Sequence, residues 1–259
     1  MLFKRKEKDI GKIYGSEAMT AMRRAGYIAA QILQELSALA APGVTTKDLD
    51  DVAMKRLEGE GVKPAFLGYE QFPAVLCASI NDVAVHGVPS DRLLADGDLL
   101  KLDFGVVVDG YYSDTAISVP IGAVSTDVLR LVQVTQEALK VGITAAQPGK
   151  RVGDISAAIQ GHVETAGFEV VRELTGHGIG QTLHEPPQIP NAGKPDTGPE
   201  LRPGMLIAIE PITTFSTQHV SLAKDGFAYV TDNNSVSAHF EHTVAITESG
   251  PVVLTSYET

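Results

Sequence analysis

The chain contains its own partial copy. APGVTTKDLDDVAMKRLEGEG at 41–61 aligns with QPGKRVGDISAAIQGHVETAG at 147–167, an offset of 106 residues. Pro42/Pro148, Gly43/Gly149, Asp48/Asp154, Glu58/Glu164 and Gly61/Gly167 are identical, and Leu49/Ile155 and Leu57/Val163 are alike. A second block follows at an offset of 107, LLADGDLLKLD (93–103) against ELRPGMLIAIE (200–210), with Leu94/Leu201, Gly97/Gly204 and Leu99/Leu206 in register. Helix–turn–helix–strand segments resemble one another by chance, but chance does not hold the offset nearly constant over two blocks. A duplicated α+β unit is the better reading. It restricts the fold to two related halves sharing one sheet and one cleft, and it pairs an acid in each half, Asp103 with Glu210.

Local patterns fill in the units. Residues 16–40 carry Met19, Met22, Ile28, Ile32, Leu36 and Leu39 at helical spacing, with Ser16 as the expected N-cap. Ala41-Pro42-Gly43 breaks that helix. Thr46 is expected to cap a second helix over about 47–60, which Gly61 ends. Further helices are predicted over about 125–145 and 152–166. From 97 the chain turns to Val/Leu/Ile runs punctuated by Asp-Gly, and beyond 168 to strands and Gly/Pro-rich loops.

With 259 residues, 44% hydrophobic and 20% charged, the chain has the material for a substantial core. The single cysteine, Cys77, excludes an intramolecular disulfide framework and suits a reducing, cytoplasmic setting. A net charge of −11 argues against dedicated nucleic-acid binding. No apolar run is long enough to cross a membrane. The first eleven residues hold Lys4, Arg5, Lys6 and Lys8 with no apolar stretch after them, so they read as a solvated basic terminus and not a secretory signal. An electrostatic contact of this segment with ribosomal RNA is the alternative.

The chemistry gathers around KLDFGVVVDGYYSDTA. Val108-Asp109-Gly110-Tyr111 is a two-residue hairpin signal of type I′. Counting back from that turn pairs 105 with 114 and 103 with 116, which puts Asp103 and Asp114 diagonally on one face, roughly 7–8 Å apart at the backbone. Two solvated acids on an open sheet face fit this hairpin; so do two carboxylates sharing a cation. The apolar neighbours shift the balance toward the cation. Further donors lie downstream. TGHGIGQTLHEPP places His177 and His184 in a Gly-rich segment, where their separation of seven puts the imidazoles on opposite faces of an extended chain. One is then expected to be a ligand and the other a substrate contact. Glu210 ends the apolar run MLIAIE, Glu241 opens a strand in SAHFEHTVAI, and His86 follows the apolar run of NDVAVHGVP. Asp103, Asp114, Glu210 and Glu241 with His177 form a hard-oxygen set plus one nitrogen, suited to a pair of divalent ions. A water bridging two such ions loses a proton near neutral pH and becomes a nucleophile, which is metal-assisted hydrolysis. No G-x-S-x-G elbow, Walker A loop, H-E-x-x-H or G-x-G-x-x-G competes with this reading. Cys77, in the apolar run AVLCASI, reads by default as a small hydrophobe.

These motifs, NDVAVHGVP, KLDFGVVVDGYYSDTA, TGHGIGQTLHEPP, GMLIAIEPI and SAHFEHT, resemble the methionine aminopeptidase family of pita-bread metallopeptidases, over roughly residues 12–255. The chain is similar to the short bacterial type I branch, without a Cys/His-rich extension and without room for the helical insertion of type II. The resemblance implies an α+β pita-bread fold in which two pseudo-symmetric α/β halves share a central antiparallel sheet covered by helices. It implies one catalytic domain over 1–259 and a monomer. It also implies two divalent ions, drawn from cobalt, manganese, iron, zinc or nickel. Asp103 would chelate one, Asp114 and Glu241 would bridge both, and His177 and Glu210 would hold the other, with Glu210 also relaying protons. The dinuclear metal would activate a bridging water to attack the scissile peptide carbonyl. His86 and His184 would contact the substrate amide and stabilise the tetrahedral intermediate. Tyr69, Phe72, Cys77, Leu183 and Phe227 would form the socket for a methionine side chain. The implied substrates are nascent polypeptides whose initiator methionine precedes a small residue, met transiently at the ribosome.

Three residues depart from the family pattern: Leu183 where Phe is frequent, Phe227 where some relatives have Trp, and His239 where Gln is usual. All three are expected to reshape the pocket rim or its pH response. Two other readings stay open at this stage. A proline-directed aminopeptidase or dipeptidase shares the fold but usually carries a further N-terminal domain. A catalytically dead pita-bread protein that binds RNA or ribosomes would lack ligands, and all five are present here.

Overall fold

The computed structural model describes residues 10–256, so the basic run at 4–8 lies outside the described residues. Helices α1 (Ser16–Leu39) and α2 (Thr46–Glu60) come first. Strands β1 (Lys63–Pro64), β2 (Leu76–Ile80), β3 (Val83–Val85), β4 (Leu99–Val108) and β5 (Tyr111–Pro120) follow. After α3 (Thr126–Ala145) and α4 (Val152–Thr165) come β6 (Glu169–Val170), β7 (Thr175–Gly178), β8 (Glu185–Pro190), β9 (Leu206–Ile209) and β10 (Ile212–Thr214). The chain closes with β11 (Val220–Leu222), β12 (Tyr229–Thr231), β13 (Ser237–His239), β14 (Glu241–Thr247) and β15 (Gly250–Val253).

The duplication is visible at the level of single hydrogen bonds. In the first half Gly43 N donates to Leu94 O and Leu94 N to Val44 O, both at 2.8 Å. In the second, Gly149 N donates to Leu201 O at 2.8 Å and Leu201 N to Lys150 O at 2.7 Å. The paired glycines share a left-handed backbone, Gly43 with Gly149 (φ 90° and 82°) and Gly97 with Gly204 (φ 93° and 90°), a region that other residues enter at a steric cost. Helix starts match as well: Thr45 N donates to Asp48 Oδ2 at 2.9 Å and Arg151 N to Asp154 Oδ2 at 2.8 Å.

Two helix starts differ by one residue from the expectation. Gly15, extended at ψ −173°, is the N-cap of α1, and Ser16 is already helical. Thr45, not Thr46, caps α2, because Thr45 is the last extended residue and its side chain accepts from Asp48 N. The hairpin agrees with the count. Asp109 and Gly110 both have positive φ (51° and 81°), as a type I′ turn requires. Val108 pairs with Tyr111, Gly105 with Asp114 and Asp103 with Ala116.

The principal sheet runs β1-β4-β5-β14-β9-β7-β8, with β2 on β4 and β15 on β14, and all its pairs are antiparallel. Helices cover one face. Leu100, Leu102, Phe104, Val106 and Val108 of β4 pack with Ile32, Leu36, Leu49 and Leu57 of α1 and α2. Ile207, Ile209, Val244 and Ile246 pack with Leu131, Leu139, Ile155 and Ile159 of α3 and α4. Each such side chain contributes roughly 1.5–3 kcal/mol by leaving water. Strand alternation therefore turns Lys101, Asp103, Gly105 and Val107 to the opposite face, with Ala208 and Glu241. That face carries the polar cluster.

Candidate active site

The five proposed ligands come from five successive strands of this sheet. Asp103 is on β4, Asp114 on β5, Glu241 opens β14, Glu210 follows β9 directly, and His177 is on β7. Ala116 pairs with Asp103 on one side and Glu241 on the other, so a methyl group separates the two carboxylates. Continuing the β9–β14 register by one step from His242↔Ile209 sets Glu241 opposite Glu210. Oxygen atoms of Asp114 and Glu241 and a ring nitrogen of His177 all lie within 4.8 Å of one another. His177 Nε2 is 3.6 Å from Glu210 Oε1.

Hydroxyls hold the strands where the ladder thins. Between β5 and β14 only two residue pairs are in register. Thr243 Oγ1 accepts from Asp114 N at 2.9 Å and donates to Asp114 O at 2.8 Å. Thr115 Oγ1 donates to Glu241 O at 2.9 Å. Both ligand backbones are thus fixed by side chains of the neighbouring strand.

The electrostatics are those of a site built for cations. Burial pushes the Asp103 carboxyl up to about 7. Burial and then the neighbouring carboxylates push Asp114, Glu210 and Glu241 well above the usual carboxylate range. Asp103 Oδ1, Asp114 Oδ1 and Glu241 Oε1 are buried with no hydrogen-bond partner among the described residues. Buried carboxylates without donors call for protons or metal ions, and an oxygen-rich set with one imidazole fits divalent ions. His177 is prepared for this role. Its Nδ1 lies 2.9 Å from Gly178 O and must donate to that carbonyl, which leaves the lone pair on Nε2 facing Glu210. Burial lowers its pKa to about 3, so the ring is neutral.

The carboxylates floor a cavity of about 240 Å³. All twelve residues singled out in the sequence line it: the five ligands, His86, His184, and Tyr69, Phe72, Cys77, Leu183 and Phe227. Phe72 and Phe227 meet edge to face at 5.6 Å. Cys77 pairs with Asp103 in the sheet, and burial raises its thiol pKa well above the ordinary value. The pocket also includes Phe66, Glu70, Leu222, Gly226 and Tyr229, which sequence reasoning did not identify. Gly226 and Phe227 lie in a turn whose Asp225 Oδ1 accepts from Phe227 N, and only the fold brings that turn over the cavity.

The two histidines of the Gly-rich segment require a correction. Their rings lie 4.4 Å apart, edge to face, and both border the cavity. The opposite-face expectation assumed extended chain throughout, but β7 stops at Gly178 and the chain turns back to begin β8 at Glu185. His184 Nδ1 is 2.8 Å from the Tyr69 hydroxyl, and burial lowers its pKa. His86 sits at φ 57°, and a Cβ at the following Gly87 would stand 2.5 Å from the Ala78 carbonyl. That close approach explains why His-Gly follows the apolar strand. His86 is also held neutral, with burial lowering its pKa to about 4.

Of the three departures, Leu183 and Phe227 line the pocket. His239 is not on the rim. It is 1% exposed and sits behind the carboxylates.

Comparison with known proteins agrees with this geometry. The model of metallopeptidase family M24 matches residues 20–248. Methionine aminopeptidase 1 of Bacillus subtilis is 45% identical over 234 residues, covering 90% of this chain and 94% of that one. The crystal structure of methionine aminopeptidase from Thermotoga maritima superimposes with a TM-score of 0.94 at 40% identity, covering 95% of this chain and all of that chain (100%). Prolidase from Pyrococcus furiosus, at 23% identity and a TM-score of 0.78, shares the fold, and this chain covers 67% of it. A sheet that gathers four carboxylates and an imidazole under an apolar socket, together with relatives at this identity over nearly the whole length, places the chain in metallopeptidase family M24, among its methionine aminopeptidases.

Proposed function

We propose that this protein removes the initiator methionine from nascent polypeptides whose second residue is small, using two divalent ions. The observation that supports it most is the convergence of Asp103, Asp114, His177, Glu210 and Glu241 beneath one cavity of about 240 Å³ with an apolar side wall. Asp103 would hold one ion, His177 and Glu210 the other, and Asp114 and Glu241 would contribute to both. Bound there, the ions supply Lewis-acid polarisation of the scissile carbonyl and a water acidic enough to ionise near neutral pH.

The remaining work falls to side chains. Glu210, itself one of the five, would receive the proton lost by the attacking water and pass it to the leaving amine. His86 and His184 are neutral donors. With the Tyr69 hydroxyl donating to Nδ1 of His184, its Nε2–H is left to bind the substrate amide and the oxygen that gains charge. Tyr69, Phe72, Cys77, Leu183 and Phe227 enclose an unbranched thioether, and Cys77 serves as a wall and not a nucleophile, since its thiol stays protonated. We place the whole reaction in one catalytic domain of a cytoplasmic monomer that meets its substrates as they leave the ribosome. No helix among the described residues is long and apolar enough to cross a membrane.

The test is hydrolysis across a Met-X panel after metal analysis, with Mn(II), Co(II) or Fe(II) added. Release of Met from Met-Gly and Met-Ala peptides, and little from Met-Leu, is expected. Cleavage of X-Pro substrates in preference to Met-Ala would favour the prolidase-like reading that the shared fold leaves in play, and no metal-dependent release at all would overturn the proposal.

A further inference from the structure

One buried group beside the carboxylates has no role in the reaction as described. His239 ends β13 and is 1% exposed, and neither of its ring nitrogens has a hydrogen-bond partner among the described residues. Buried polar atoms in folded proteins are paired in the great majority of cases, so two bare nitrogens on one ring call for an explanation. Nε2 lies 3.9 Å from Glu210 Oε2 and 3.9 Å from Glu241 Oε2, equidistant from two of the five ligands. Those carboxylates come from different segments, the end of β9 and the start of β14. The ring's backbone is clamped: Ser118 Oγ accepts from His239 N at 2.9 Å and donates to His239 O at 2.8 Å, and His239 pairs with Ile212. Ser118 thus fixes the backbone that carries the ring, and across from it Glu241 Oε1 has no hydrogen-bond partner among the described residues.

We propose that His239 is a positioning residue of the metal centre, its Nε2–H serving as a shared donor to Glu210 and Glu241 that sets both carboxylates for divalent ions. The proposal rests on the metal-centre reading above. Groups that hydrogen-bond to metal ligands orient them, and their loss typically weakens metal binding about 10–100-fold.

Gln and Met are close in volume and shape, and Gln alone keeps an N–H donor. Metal-free wild type, His239→Gln and His239→Met are titrated with Co(II), followed by calorimetry and by the visible d–d absorption. His239→Gln is expected to bind within about threefold of wild type, and His239→Met about 10–100-fold more weakly with an altered absorption band. His239→Met binding like wild type overturns the proposal alone, as does His239→Gln weakened as far as His239→Met. A wild-type protein that takes up no Co(II) overturns the metal-centre reading itself. One measurement needs no variant: ring ¹⁵N–¹H correlations of the Zn(II)-loaded protein should show His239 protonated on Nε2. Protonation on Nδ1 would refute the donor role.

Discussion

Replacing Asp103 with Asn should make the metal-free protein more stable at pH 8 while abolishing its activity. Burial holds the Asp103 carboxyl at about 7 against an ordinary 3.8. Below 3.8 the folded and unfolded chains both carry the proton, and burial costs nothing through ionisation. Between 3.8 and about 7 the folded chain retains a proton that the unfolded chain releases, so stability falls as pH rises. Above 7 both forms are ionised and the full cost applies, about 4 kcal/mol at 1.36 kcal/mol per pH unit. An amide of the same size carries no charge, and its imperfectly met hydrogen bonds cost about 1–3 kcal/mol. The net gain is about 1–3 kcal/mol at pH 8, a rise of about 2–10 °C in melting temperature for a domain of this size. At pH 5 the gain should be about 2–3 kcal/mol smaller, because most of the ionisation cost has gone. Calorimetric melts of EDTA-treated wild type and Asp103→Asn at pH 5 and 8 test this. Added Mn(II) should raise the melting temperature of wild type and not of the variant. A metal-free variant that melts below wild type at pH 8, or a gap that does not change with pH, would show that burial does not make Asp103 costly to ionise.

Three further outcomes follow from the same geometry. Ala116→Leu should fold, as judged by circular dichroism, but bind little metal on elemental analysis, because Ala116 alone separates Asp103 from Glu241 across β5. His86→Ala and His184→Ala should each keep wild-type metal content yet lose about 10²–10³ in kcat on Met-Ala-Ser, the usual effect of removing a donor to the developing oxyanion. Tyr14→Phe should lower the melting temperature by about 2–4 °C, roughly 1 kcal/mol, since the Tyr14 hydroxyl donates to both oxygens of Glu185 at 2.8 and 2.9 Å beside the His184 loop.

What the sequence made legible was whatever local chemistry determines. The positive-φ pair Asp109-Gly110 sets the hairpin, so the diagonal relation of Asp103 to Asp114 could be counted from the turn before any fold was known. Gly43, Gly97 and their repeats marked turns that recur with the same hydrogen bonds. Nonlocal placement was not legible from residues alone. That β14 lies between β5 and β9 depends on contacts such as Thr243 with Asp114, 129 residues apart, and no spacing rule reaches that far. Residue types at strand ends gathered the candidate ligand set, and the resemblance to a known family supplied the roles expected within it and the pocket residues. The His177–His184 geometry failed for a local reason, since a Gly-rich segment specifies strand breaks poorly. The residues leading into α1 were not singled out because Tyr14 and Lys12 meet Glu185, 171 and 173 residues away, only in the folded chain.

The strand order also explains why a duplicated chain yields a site of this kind. Read across the sheet, β4-β5-β14-β9 carries Asp103, Asp114, Glu241 and Glu210, with the seam between the halves falling between β5 and β14. The repeat pairs Asp103 with Glu210 as the outer acids, and Asp114 and Glu241 meet at the seam as the inner ones. Duplication thus accounts for the outer pair in a row of four carboxylates. The flanking strands then break the symmetry. Beyond Asp103, β2 sets Cys77 opposite the carboxylate. Beyond Glu210, β7 brings in His177, whose Nδ1 is committed to Gly178 O. One end of the row gains a nitrogen donor and the other gains an apolar wall. The two ends of the row are therefore chemically unequal, one offering an imidazole nitrogen and the other closed by a buried thiol wall.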